Sequence, residues 1–401
     1  MTNKILRRSA LPFKYLLLLV SYLIPRDKKL WCFGASFNGN AKYLYIYMVE
    51  NMANLYHCVW IGEKEDVDQV RHAGLAAYRQ WSLKGLYYTL RGGVYVYNSY
   101  PANVNLYTMG GAKLVNLWHG VALKCIDRQI KDGPTAKYYQ AKGLFNEIRY
   151  LNFRKHADVV LSTSPLMTEN FSEAFDVTEK EIVEGIYPRC DLFTKSEEEI
   201  KTFITRYEGN LTQRLVRSIQ QFDYTYIYLP TWRDTGDDFI SECGFDFDAI
   251  NEVMKRHNRL FLLKMHPDSR LKFDVDYSNV RIMDKEVDIY PILPLTDCLI
   301  TDFSSIYFDY ILMEDKQIIL FIPDYEDYIN KSRALKYPYD DVMKGMKALN
   351  FEQLLTLLVN KNKMSSVTSK ELDEIRERFW LPKYKNMETL VDGIKMQLYG
   401  K

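Results

Sequence analysis

Short apolar runs, each closed by a polar turn and followed by residues at helical spacing, recur along most of this chain. The first series is Leu30–Gly34, Leu55–Ile61, Val94–Asn98, Lys113–Trp118, Val159–Thr163 and Ile182–Gly185. The second is Tyr226–Leu229, Leu260–Lys264, Val280–Met283, Cys298–Thr301 and Gln317–Phe321. Such runs are too short for buried helices, and their apolar residues are continuous rather than alternating. They fit strands buried on both faces, as in parallel sheets covered by helices. Helical spacing at Asn40–Met52 and Leu83–Leu90 supplies covering elements. The fold class is therefore α/β, with two Rossmann-like halves joined near residues 190–200 and a cleft expected between them. A polar helical segment, Ser196–Phe222, stands between the two series. The expected division is residues 1–28, 29–192, 193–375 and 376–401, the last packing back as C-terminal helices.

Bulk properties exclude some partners. With 401 residues and a formal net charge of +1, no global field recruits nucleic acid. The six cysteines are scattered without a Cys-x-x-Cys pair, so they read as reduced core thiols of a cytosolic protein. The 31 tyrosines fit a protein that meets sugars, bases or a membrane interface. At the N-terminus, Lys4, Arg7, Arg8 and Lys14 flank an apolar run, Tyr15–Ile24, that Pro25 and further charges close. The run is about half the length that spans a bilayer. It predicts a helix lying in the interface of the inner leaflet, with a helix packed on the protein body as the alternative. The basic, aromatic stretch Lys131–Lys155 is expected to hold an acceptor near the same surface, or to be an ordinary amphipathic helix. Asp246-Phe247-Asp248 and Asp274-Val275-Asp276 have the spacing of metal–nucleotide motifs, but both lie away from strand ends. They read as solvated acids, and no metal site is expected.

Chemistry concentrates where strands end. After Cys298–Thr301 come Asp302, Ser304 and Ser305, then Ile306, Phe308, Tyr310, Ile311 and Met313 at helical spacing. Ser304 or Asp302 is expected to cap that helix, so that its N–H groups and two hydroxyls converge as a phosphate site. His119-Gly120 closes another strand, where an imidazole can serve as a general base and glycine lets the chain turn sharply. Thr231 and Arg233 follow Tyr226–Leu229, and Arg233 can clamp a phosphate in bidentate fashion. Lys264 and His266 end a third strand, stopped by Pro267.

His119-Gly120-x-x-Leu123-Lys124, Pro230-Thr231-Trp232-Arg233-Asp234, His266-Pro267 and Thr301-Asp302-Phe303-Ser304-Ser305-x-x-Phe308-Asp309 occur in that order. The ordered set resembles the CDP-glycerol glycerophosphotransferase family, the teichoic-acid primases and polymerases and related capsule enzymes. Trp31-Cys32-Phe33-Gly34 with Asn40-Ala41-Lys42-Tyr43-Leu44 is similar to that family's opening. Tyr187-Pro188-Arg189-Cys190-Asp191 is similar to its domain-junction motif. The resemblance implies a GT-B fold with an acceptor domain (29–192) and a CDP-donor domain (193–375). It implies transfer of a polyol phosphate from CDP-glycerol or CDP-ribitol to a lipid-linked saccharide, at the cytoplasmic membrane face. His119 matches the base. His266, Ser304 and Ser305 match donor-phosphate contacts, and Gly120, Lys124, Thr231, Arg233, Lys264, Asp302 and Arg333 are grouped with them as donor-binding. No resident cofactor is implied; Mg2+ would enter with the diphosphate. The family often has Thr-Pro where this chain has Val121-Ala122. Tyr is usual at Phe303, and Gly is common at Ala334. A CMP-sugar transferase of the sialyl or polysialyl type and a catalytically silent scaffold are the rival readings.

Overall fold

The computed structural model describes residues 11–231, 239–265, 276–331, 334–360, 369–381 and 385–400. Two compact units emerge. The first comprises residues up to His119, Ile126–Asp191 and Trp380 onward; the second comprises Gly120–Cys125 and Leu192–Phe379.

The first unit is built on seven strands: β1 (Asp27–Gly34), β2 (His57–Gly62), β3 (Ala77–Arg79), β4 (Gly92–Tyr97), β5 (Lys113–Asn116), β6 (Val159–Ser162) and β7 (Ile182–Glu184). Every pairing is parallel, and the order is β3-β2-β1-β4-β5-β6-β7. The second unit has six: β8 (Tyr224–Tyr228), β9 (Arg259–Leu263), β10 (Val280–Ile282), β11 (Cys298–Thr301), β12 (Gln317–Phe321) and β13 (Met346–Ala348). Its order is β10-β9-β8-β11-β12-β13, again wholly parallel. The central strands β4, β8 and β11 are buried along their whole length. That is why their sequences read as unbroken apolar runs. The edge strands β3 and β13 have three residues each and are partly exposed, so they left no such run.

In each sheet the strand order reverses once, between β1 and β4 and between β8 and β11. Ligands of open α/β sheets bind at such reversals, beyond the strands' carboxyl ends.

The segment Ser196–Phe222 is two helices, Glu197–Tyr207 and Asn210–Ile219. A capping box between Ser196 and Glu199 starts the first, and the chain breaks at Glu208-Gly209 before the second. The C-terminal helix Met387–Tyr399 packs on β6 and β7. Asp246 accepts from the Ala249 N–H at 3.0 Å and caps the helix Phe247–Arg256, which explains one carboxylate of that acidic pair. Asp274 lies outside the described residues.

Lys131–Lys155 is not one amphipathic helix. It forms three short ones, Lys137–Gln140, Leu144–Arg149 and Leu151–Arg154. Arg154, expected at the surface, is buried. It pairs with Glu147 and donates to the carbonyls of Tyr138 (2.7 Å) and Ala141 (2.6 Å). A guanidinium so used ties the three helices together.

The N-terminal run forms the helix Leu11–Ser21. Leu18 and Ser21 face inward, and Ser21 Oγ accepts from the Gly110 N–H at 3.0 Å. Phe13, Leu16, Leu19 and Leu23 remain exposed. Among the described residues no helix is long and apolar enough to cross a membrane. All six cysteines are free thiols; Cys32, Cys58, Cys190 and Cys298 are buried, and burial pushes the Cys58 thiol up to about 12.

Candidate active site

In the second unit, the sheet's reversal point is closed by Asp302 at the end of β11 and Thr231 beyond β8. The Thr231 N–H donates to both Asp302 oxygens, at 2.9 and 3.2 Å, and its hydroxyl donates to Oδ1 at 2.5 Å. The Phe303 N–H adds a further bond to Oδ1 at 2.6 Å. A wholly buried carboxylate is tolerable only when its lone pairs are used in this way. Asp302 therefore braces two strand ends rather than capping a helix, which corrects the expectation. The helix itself is short, Ile306–Tyr310, and Ser305 at its N-cap makes no side-chain capping bond. Ser304 Oγ accepts only a 3.5 Å contact from the Ile306 N–H. Both serines are half-exposed at the strand's carboxyl end. The two hydroxyls thus stand beside a single helical turn, where the spacing predicts a helix through Met313.

Phe303 stacks face to face on Tyr328, with ring centres 3.7 Å apart and planes 1° from parallel. The Lys124 Nζ lies over the Tyr328 ring, 5.0 Å from its centre. The backbone holds Lys124 there. Cys125 N–H donates to Ala334 O (3.0 Å), Lys336 N–H donates to Leu123 O (2.8 Å), and Lys124 pairs antiparallel with Leu335. The Gly120–Cys125 segment thus packs within the second unit, against Ala334–Lys336 and Tyr328.

Lys264 follows β9, and its N–H donates to Tyr228 O at 3.1 Å. Its ammonium donates to the carbonyls of Lys285 (3.2 Å) and Val287. Burial lowers its pKa. The side chain was expected to face a phosphate; here it secures the loop after β10. Arg233, His266 and Arg333 lie outside the described residues.

In the first unit, β5 ends at Asn116 and the chain turns through Trp118 to an exposed His119. Trp118 has φ +50° and Gly120 φ +148°, conformations that a bulky residue and any non-glycine residue, respectively, resist. His119 Nδ1 lies 3.2 Å from Ser99 Oγ and 3.4 Å from Asn98 O. A carbonyl can only accept, so a hydrogen on Nδ1 suits both neighbours. That tautomer leaves the lone pair on Nε2, as a general base requires. Asn98 and Ser99 follow β4, the strand at this sheet's reversal point. Asn98 also accepts from the Ala41 N–H at 2.8 Å and donates to Asn38 O at 3.0 Å, which joins the ends of β1 and β4.

A third feature was not legible in the sequence. Asp127 is buried with φ +43°, and its Oδ1 accepts from the hydroxyls of Tyr100 and Tyr139, both at 2.9 Å. Burial pushes its pKa up to about 6 against those two bonds. Ser99, Tyr100 and Asp127 line one narrow pocket. No motif spacing announces this group, because Tyr100, Asp127 and Tyr139 come from three separate segments. Among the described residues no cluster of three or more His, Cys, Asp or Glu side chains is placed to hold a metal ion.

The fold and both strand-end groups can now be set beside known proteins. The family described as CDP-Glycerol:Poly(glycerophosphate) glycerophosphotransferase matches residues 17–388, and the chain belongs to it. A teichoic acid poly(glycerol phosphate) polymerase of Bacillus spizizenii is 26% identical over 357 residues, covering 80% of this chain and 81% of its own. A teichoic acid glycerol-phosphate transferase of Staphylococcus aureus is 26% identical over 375 residues, covering 90% and 88%. The chain spans 45% of the Bacillus subtilis polymerase that it also matches. Among solved structures, the wall teichoic acid polymerase TagF superposes with a TM-score of 0.74 at 22% identity, covering 99% of this chain and 98% of that one. That similarity establishes a common fold. The class is thus a polyol-phosphate transferase of the teichoic acid type.

Asp127 offers a test of the first unit's site. Its folded pKa lies above its unfolded value of 3.8, so the folded state holds the proton more tightly. Stability should therefore fall as pH rises from about 4 to about 6. Asp127→Asn should lack this component and gain on the wild type by up to about 3 kcal/mol across that window. Chemical denaturation at pH 4 and pH 7 measures it. A difference between the two proteins that does not change with pH contradicts the assignment.

Proposed function

We propose that the protein transfers a polyol phosphate, glycerol phosphate foremost, from a CDP-activated donor to a hydroxyl of a lipid-linked saccharide. The observation that carries this reading is the His119 environment, in a chain of this family. Asn98 and Ser99 hold Nδ1, and Nε2 keeps the lone pair. In the reaction, His119 takes the proton of the acceptor hydroxyl. The hydroxyl oxygen attacks the phosphorus that bears the polyol, and the bond to the bridging oxygen breaks. CMP leaves with that oxygen. Such transfers depend on positioning and on neutralising charge at the phosphoryl oxygens. Ser304 and Ser305 supply donors to the diphosphate, and Thr231–Asp302 fixes the strand ends that present them. Arg233, His266 and Arg333 are assigned to the donor by their motifs. In this reading the two units are the halves of a GT-B enzyme, with the acceptor on the first and the donor on the second. TagF has been studied with CDPG, which supports a nucleotide donor. Relatives that include a poly(ribitol-phosphate) polymerase keep CDP-ribitol beside CDP-glycerol. The product belongs to a teichoic acid or capsule polymer. Any divalent cation arrives on the diphosphate.

His119→Ala should keep its fold and lose about 10²–10⁴-fold in CMP release from CDP-glycerol with a lipid-linked acceptor. Normal turnover by this variant would remove His119 as base and revive the silent-scaffold reading.

The protein is proposed to work as a peripheral protein at the cytoplasmic face of the membrane. The helix Leu11–Ser21 presents Phe13, Leu16 and Leu19 outward. Beside it, Tyr15 donates to Ile148 O at 2.8 Å, so the exposed Leu144, Phe145 and Ile148 adjoin the same face. Apolar side chains grouped in this way favour an interface. Leu16→Asp combined with Phe145→Asp should abolish sedimentation with vesicles rich in anionic phospholipid. Undiminished binding by the double variant contradicts the placement.

A further inference from the structure

The Trp118–His119 turn raises a problem of hydrogen bonding. β5 ends at Asn116, so the carbonyls of residues 117, 118 and 119 lie beyond the sheet's ladder. Leu117 and Trp118 are buried, and buried carbonyls need donors from elsewhere. Two side chains provide them. Asn40 Nδ2 donates to Leu117 O at 3.1 Å and to Trp118 O at 2.8 Å. Arg189 Nη1 donates to His119 O at 2.9 Å. The two are linked, because the Arg189 N–H donates to Asn40 Oδ1 at 3.4 Å across 149 positions of sequence. Asn40 is wholly buried at the start of the helix Gly39–Asn51; Arg189 is 4% exposed in the helical turn Pro188–Thr194 after β7.

These bonds fall on the strained part of the chain. Trp118 is held at φ +50°, and such conformations persist only when the surroundings over-determine them. The Asn116 carboxamide accepts from the Trp118 N–H at 2.9 Å, and Phe175 packs against the indole with ring centres 4.7 Å apart. The carbonyl side of the turn depends on Asn40 and Arg189. Released, the peptides at 117–119 can rotate, and His119 Nδ1 then leaves Ser99 and Asn98.

We propose that Asn40 and Arg189 are positioning residues for His119, acting through three consecutive backbone carbonyls and touching no substrate. This rests on the reading of His119 as the base. It gives one physical reason for three separate motifs. The segment after β1 supplies the amide, the turn after β7 supplies the guanidinium, and the turn after β5 receives both. A carboxamide suits position 40 because one group must donate to two carbonyls and accept from an N–H. A lysine at 189 keeps the charge but not the planar fork that fixes direction.

The test uses the full-length protein with Asn40→Ala and Arg189→Lys, each checked for folding by thermal denaturation. With CDP-glycerol and a lipid-linked acceptor, kcat should fall about 10–100-fold while the KM for CDP-glycerol stays within about twofold. In protein labelled with ¹⁵N-histidine, the His119 ring signals should move from one tautomer toward a mixture. Adding His119→Ala to Asn40→Ala should cost nothing beyond His119→Ala alone. Wild-type kcat in both folded variants, with unmoved ring signals, overturns the proposal. Should Asn40→Ala fail to fold, Arg189→Lys decides alone by the same readings. If His119→Ala itself turns over normally, the base assignment falls. The ring signals then judge positioning by themselves: a shift sustains it and no shift ends it.

Discussion

A parallel sheet carries every strand's carboxyl end to one edge, and a single reversal of strand order opens that edge at one place. Both units obey this constraint, and both put their polar investment there. In the second unit Asp302 reaches from β11 to Thr231 beyond β8. In the first, Asn98 beyond β4 reaches the segment after β1 through Asn38 and Ala41. Each is a carboxylate or carboxamide whose buried acceptors are filled by backbone N–H groups or hydroxyls across the reversal. Without such cross-links, diverging strand ends would leave orphaned carbonyls and N–H groups. With them, the neighbouring serines and histidine stand on braced strand ends.

The two edges differ in character. The second is braced by the Asp302 carboxyl group and by stacked aromatics, with Phe303 and Tyr328 in face-to-face contact and Lys124 over the Tyr328 ring. It offers hydroxyls at Ser304 and Ser305, which suit oxyanions. The first is braced by neutral amides and one guanidinium, and it offers an imidazole. A Phe at 303 rather than Tyr is consistent with its burial, since a ring stacked at 3.7 Å has no need of a hydroxyl.

Much of this was legible in the chain. Continuous apolar runs marked the central strands to within three residues, because burial on both faces erases alternation. The edge strands β3 and β13 were not legible, since three partly exposed residues carry no pattern. The positions that end strands, His119, Thr231, Lys264 and Asp302, were found from local sequence. Their partners were not. Whether Asp302 caps its own helix or crosses to Thr231 depends on a strand some 70 residues earlier, and no local rule ranks the two. The same holds for Lys264, which turned to the carbonyls of residues 285 and 287. Arg154 read as a surface cation because its neighbours are basic and aromatic, yet three short helices fold around it. Asp127 and its tyrosines carry no spacing at all.

In the proposed reaction labour is divided: the second unit would hold the CDP-activated donor, and the first would supply the base. Calorimetric titration with CDP-glycerol in the absence of acceptor tests it most directly. His119→Ala should bind the nucleotide with wild-type affinity, whereas the double variant Ser304→Ala, Ser305→Ala should bind about tenfold or more weakly through lost charge-assisted hydrogen bonds. Unchanged affinity in the serine variant, with loss of binding in His119→Ala, would contradict the account.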